Sequence, residues 1–172
     1  LYFQRGVFHV TGVENPWGKP FRSTATGLYR FHPRKHQTEF HFSIGPNPHG
    51  DVIDQWGYQF VTDGTGGNGY YVGFPGRGTP KQLFVKQYRP VPAIAPLEGS
   101  HFPDNLRGNF LIANAIGFQG VAQYQFVDQG AGFHVEPVEP ILFSSDPNFR
   151  PSSLRVGGDG ALYITDWQKP LI

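Results

Sequence analysis

The chain has 172 residues, 23 of them Gly and 16 Pro, and a formal net charge of +1 at pH 7. So small a charge excludes an electrostatic case for nucleic acid or a membrane surface as partner. The absence of cysteine excludes a disulfide frame, a thiolate metal site and a cysteine nucleophile.

Leu1-Tyr2-Phe3-Gln4 matches the tail of an engineered protease site, so residues 1–4 are expected to be an expression scar outside the fold. Beyond them no stretch shows sustained helical periodicity. Short apolar-aromatic runs bounded by Gly, Pro, Asn and Asp predict strands at 7–10, 27–32, 39–43, 52–53, 58–62, 82–88, 109–114, 121–127, 133–137, 141–143, 154–156 and 161–165. No apolar run reaches the roughly 18 residues a membrane helix needs, so no span is expected. Many short strands suit a sandwich, a barrel or a propeller.

An internal repeat decides among these. Residues 48–63 align without a gap to residues 151–166 at an offset of 103. Pro48, Gly57, Thr62 and Asp63 meet Pro151, Gly160, Thr165 and Asp166, and Phe60-Val61 meets Tyr163-Ile164. A weaker copy, 101–114, lies between them, with Gly108 51 residues after Gly57 and 52 before Gly160. Each copy reads as a strand, a tight turn needing Gly, and a second strand. A period of about 51–52 residues fits a four-stranded propeller blade, for which roughly 40–50 is usual. The sequence therefore predicts an all-β partial β-propeller of about three four-stranded blades plus a fraction, with blades near 5–46, 47–98, 99–148 and the start of the next at 149–172. Closed rings need roughly 4–8 blades. Self-association is expected, to cover open blade edges.

The repeat also phases polar residues. His49 lies eight residues before Gly57, His101 seven before Gly108, and Asn47 and Arg150 each directly precede a repeat Pro. Asn47, His49, His101 and Arg150 are thus expected to converge on the channel mouth. Two imidazoles and a guanidinium there suit proton abstraction from an alcohol, or a carboxylate-bearing ligand. Turn residues bonded to backbone carbonyls are the plainer alternative. The glycine-rich loop 63–69 offers Asp63 and Asn68 as oxygen ligands for Ca²⁺, or is a simple turn. The shared phase of Asp63 and Asp166 points to a structural bond between strands. His32, His36 and His41 resemble a zinc spacing, but Pro33 breaks the helix that would align them and Arg34 and Lys35 repel a cation, so no metal site is expected. Trp17, Trp56 and Trp167 are expected to pack between blades, with a sugar-binding shelf as the other reading.

Several strings together resemble the propeller module of a membrane-bound dehydrogenase family. They include Asn47-Pro48-His49-Gly50-Asp51, Gln55-Trp56-Gly57, Gly108-Asn109-Phe110-Leu111, Ser144-Ser145-Asp146-Pro147-Asn148-Phe149-Arg150-Pro151 and Asp159-Gly160-Ala161-Leu162-Tyr163. Its members are large secreted bacterial proteins that often carry a haem-binding Cys-x-x-Cys-His, here in a domain absent from the chain. A more distant likeness is to soluble quinoprotein sugar dehydrogenases, which use pyrroloquinoline quinone (PQQ) and Ca²⁺. Their Asn-Pro-Gln-Gly is similar to Asn47-Pro48-His49-Gly50, with His49 in place of Gln. These resemblances imply a periplasmic or secreted sugar or alcohol dehydrogenase-like parent, with His49, His101 and Arg150 as catalytic candidates and Asn47, Asp63 and Asn68 as cofactor-binding ones. The isolated segment is expected to be inactive. The alternative function is a non-catalytic propeller that binds carbohydrate or protein.

Overall fold

A computed structural model of the chain describes residues 1–73, 79–85 and 88–168. The described residues contain fifteen strands and no helix, and so no helix long and apolar enough to cross a membrane. The strands are β1 (Tyr2–Arg5), β2 (Thr11–Val13), β3 (Phe21–Ser23), β4 (Gly27–His32), β5 (Gln37–Ser43), β6 (Pro48–Ile53), β7 (Gln59–Asp63), β8 (Asn68–Val72), β9 (Lys81–Phe84), β10 (Ile94–Pro96), β11 (Phe110–Asn114), β12 (Gly120–Gln129), β13 (Gly132–Phe143), β14 (Pro151–Val156) and β15 (Leu162–Asp166).

The antiparallel sheets run β1-β4-β5, β6-β7-β8-β9, β10-β11-β12-β13 and β14-β15, with β2-β3 as a separate hairpin. These are blades 1 to 4 of a partial β-propeller. Strand β6 touches β1 on one side and β10 on the other, and β10 touches β14. The first strand of each sheet is therefore its innermost, and the four line one axis.

Side-chain alternation places the core between blades. In β11, Phe110 and Ile112 join Phe60, Tyr71 and Phe84 of blade 2. Leu111 and Ala113, on the opposite face, join Leu154 of blade 4. In blade 1, Leu28 and Phe42 pack on Val61 and Val72 of blade 2. Strands β7 and β11 are buried at every position, so both faces of each are covered. The repeat glycines share one backbone state: Gly57, Gly108 and Gly160 have φ of 85°, 83° and 81°, a left-handed turn that favours glycine.

The structure departs from the sequence reading at several points. Tyr2–Arg5 is not outside the fold but is the inner strand of blade 1, paired from Tyr2↔Arg30 to Arg5↔Gly27. It satisfies a backbone edge that β4 would otherwise leave open. Residues 7–10, expected as a strand, form a turn in which Phe8 has φ 68°. The hairpin β2-β3 and the short β10 were not foreseen, and β10 pairs with β11, so the division expected at residue 98 falls before Ile94. The expected strand 82–88 is β9 at its start, and residues 86 and 87 lie outside the described residues.

Blade 1 has a second apolar face, turned away from blade 2. There Tyr29, with no exposed surface, stacks on Phe3 at 5.3 Å and meets Phe40 edge-on at 5.3 Å. The hairpin lies over this face: Phe21 meets Tyr29 edge-on at 5.9 Å, and the phenol donates to Ser23 Oγ at 3.0 Å. The chain thus covers one of the two sides expected to seek a partner. Truncating Tyr29 to Ala should lower stability by about 3–5 kcal/mol, as for other buried aromatics. Urea unfolding measures this, and a change under about 1 kcal/mol would show that the hairpin does not seal the face.

Candidate functional site

The blades share one local device at one end of the inner hairpins. Asp63 ends β7 opposite Pro48, and its Oδ1 accepts the N–H of Asn47 at 3.2 Å. Gly64 N–H returns a bond to Asn47 O at 2.8 Å. In blade 4, Asp166 stands opposite Pro151, its Oδ1 accepts Arg150 N–H at 2.8 Å, and Trp167 N–H donates to Arg150 O at 2.9 Å. The two aspartates clamp the chain where it enters the inner strand. In blade 3 the pair Ile94↔Ile112, continued by two residues, sets Pro92 opposite Asn114. Proline therefore opens all three inner strands, and Asn114 takes the aspartate's place. Its Nδ2 donates to Ile112 O at 2.9 Å, while its fully buried side chain leaves Oδ1 without a partner.

Asn47, His49 and Arg150 consequently lie at the same end of the channel. Asn47 and His49 are exposed and Arg150 is half-buried. Gly50, at φ 77°, forms a bulge between His49 and Asp51. There the His49 carbonyl accepts the Thr62 hydroxyl, leaving the imidazole at the mouth. The Arg150 guanidinium reaches across to blade 3 and donates to Ala115 O. The string 144–151 leads into this arginine as a series of tight turns, with Asp146 N–H on Ser144 Oγ at 3.1 Å and Asn148 N–H on Asp146 Oδ1 at 2.8 Å.

His101 does not join them. It sits in the 97–109 connection between β10 and β11, against Gly160 of blade 4, at the turn end of the hairpins. The corresponding connections in blades 2 and 4, 54–58 and 157–161, are shorter. The extra length is a loop closed at its base by Leu97 N–H on Asn109 O and Gly108 N–H on Leu97 O, both 2.8 Å. Counting back from Gly108 therefore follows this loop rather than the inner strand. The position matching Asn47 and Arg150 is Val91, which is buried.

The loop after β7 does not fit Ca²⁺. Asp63 is 3% exposed, and both its oxygens already accept backbone N–H groups, with Thr65 at 3.3 Å on Oδ1 and Gly66 at 3.1 Å on Oδ2. A calcium ion requires several oxygens turned inward, and residues 64–69 add no second carboxylate. Asn68 pairs with Asp63 across the turn. Among the described residues no group of three His, Cys, Asp or Glu is arranged to hold a metal.

Residues 83–172 match a family described as Domain of unknown function (DUF7133), over half of the chain. The chain belongs to this family. No curated protein matches it. The DUF7133 stretch starts in β9 and takes in Asn114, Arg150 and the blade 4 clamp, while Asn47, His49 and Asp63 precede it.

A half-buried polar relay between blades 1 and 2, outside the DUF7133 stretch, was not legible in the sequence. His41 Nε2 lies 3.2 Å from Gln59 Oε1, and Gln59 Nε2 donates to Asp51 Oδ1 at 2.8 Å. Burial holds the His41 imidazole below its ordinary value, and nearby Arg30 adds to the effect. Burial pushes the Asp51 carboxyl up, opposed by the Gln59 bond and the Arg155 charge. The expected inter-blade role of the tryptophans is also corrected: Trp17, Trp56 and Trp167 are 72%, 73% and 69% exposed.

Asp63→Ala strands backbone donors at Asn47, Thr65 and Gly66 and should cost about 1–3 kcal/mol, with Asp63→Asn milder because one acceptor stays. Denaturant midpoints test the ranking, and an Ala variant as stable as wild type would dismiss the clamp. His41 should make stability pH-dependent. Its folded value lies below the unfolded 6.5, so its contribution is present above pH 6.5 and lost as pH falls through the folded value. Melting temperatures taken on both sides of that value should fall toward acid, and His41→Gln should flatten the slope.

Proposed function

We propose that this chain is the propeller module of a periplasmic or secreted, dehydrogenase-like protein, and that within the parent it binds a sugar or alcohol at its channel mouth rather than forming a complete catalytic centre. The observation that carries the reading is the split of the four residues expected to converge. Asn47, His49 and Arg150 enter at one end of the inner strands, while His101 packs on Gly160 at the other. An amide, one imidazole and a guanidinium supply donors and acceptors for the hydroxyls of a polyol or for a carboxylate. They lack the second imidazole that the proton-abstraction reading invoked. The likeness of 47–51 and 144–151 to membrane-bound dehydrogenases supports the parent assignment. Asp63 is spent on backbone donors, so this reading gives it no part in holding PQQ or Ca²⁺.

In the intact parent, assayed for sugar- or alcohol-dependent dye reduction, His49→Ala should raise KM several-fold and leave kcat nearly unchanged. That is the signature of lost uniform binding. A collapse of kcat at unchanged KM would instead give His49 a chemical role. A parent with no response to any sugar or alcohol would end the dehydrogenase part of the reading.

A further inference from the structure

We propose that the cleft between blades 2 and 3, at the turn end of the hairpins, binds a small alkylated ammonium ion. This site is separate from the channel mouth and does not rest on the function proposed for it. The cleft has a volume of about 200 Å³. Its walls are aromatic: Tyr58 meets Phe133 edge-on at 5.2 Å, and Phe133 meets Phe126 edge-on at 5.1 Å. Trp56 stands at the rim, 73% exposed.

The turn that carries Trp56 is rigidly held. Asp54 Oδ1 accepts the backbone N–H of Trp56 at 2.9 Å and of Tyr58 at 2.8 Å, and Gly57 N–H closes on Asp54 O at 3.1 Å. From blade 3, Glu98 Oε1 accepts Gln55 N–H at 3.0 Å. The backbone that carries the indole is thus fixed before a ligand arrives.

Charge selects the ligand. Both Asp54 and Glu98 line the cleft, and no Lys, Arg or His does. Each carboxylate commits one oxygen to the turn, and its other oxygen has no hydrogen-bond partner among the described residues. Two anions beside aromatic faces attract a cation through the ring quadrupole as well as by charge. A strongly hydrated bare ammonium loses more on entering an apolar-walled cleft than an alkylated one does. A neutral polyol can donate hydroxyls to the free oxygens but leaves both negative charges uncompensated. Methylated ammonium groups combine a positive charge with an apolar surface that these walls match.

Titrating the full chain with choline, by calorimetry and by tryptophan fluorescence, tests the site. Saturable binding is expected, and the neutral isostere 3,3-dimethylbutan-1-ol should bind at least about tenfold more weakly. Trp56→Ala removes the exposed platform, and Glu98→Gln keeps the acceptor for Gln55 N–H while deleting a charge. Each should weaken choline about tenfold and leave the melting transition in place. Equal binding of the isostere would make the cleft merely apolar. Saturation by glucose or galactose in place of choline would make it a carbohydrate site. Absence of choline binding would overturn the proposal outright.

Discussion

The second strand of each inner hairpin has no solvent face in blades 2 and 3, and the rest of the architecture follows from that. Every residue of β7 and β11 is buried, so one face of each strand must be covered by the preceding blade and the other by the next. Phe110 and Ile112 serve one interface, Leu111 and Ala113 the other. Blade 3 cannot bury its own apolar surface. It is stable as a member of a stack, which is the logic of repeat architectures. Because neighbours supply the cover, the inner strands are held around one axis and their ends gather at two rims.

At one rim the aspartate clamps do the positioning. A carboxylate that accepts backbone N–H groups at the end of the second strand fixes the residue that opens the first, so Asn47 and Arg150 inherit their places from Asp63 and Asp166. The blade 3 exception is informative. Asn114 replaces the aspartate, Val91 replaces the polar residue, and the buried Asn114 Oδ1 stays unpaired. The mouth therefore takes polar side chains from blades 2 and 4, while the matching residue of blade 3 is buried in the core. At the opposite rim the turns carry the aromatic and acidic groups.

The fold was legible where it rests on backbone constraints that only certain residues meet. Glycines one period apart adopt the same left-handed turn, and the proline and aspartate phases of blades 2 and 4 stand opposite each other in the register. What escaped depended on contacts distant in sequence or on insertions. His101 counted correctly from Gly108 yet lies in an enlarged connection, because spacing along the chain does not reveal where a strand stops. Leu1 to Gln4 resembled a foreign tag, although Tyr2 and Phe3 suit a strand. His41, Gln59 and Asp51 come from three strands of two blades, and nothing in their spacing announces that they touch. The tryptophans were misplaced by the general tendency of large aromatics to be buried, which exposed turns override here.

The β2-β3 hairpin has a further consequence for how a ring containing this chain is built. By occupying the outward face of blade 1, it removes the surface on which another sheet would stack and gives the array a blunt end, as capping repeats do for solenoids. Blade 4 is the opposite case. In strand β15 only Leu162 and Ile164 are half-buried and the rest is exposed, with Tyr163 at 57% exposure on the outward face. The array therefore has a direction. A sheet meeting blade 1 on its outward side must either displace the hairpin or use it as the joint, whereas blade 4 offers its outward face directly.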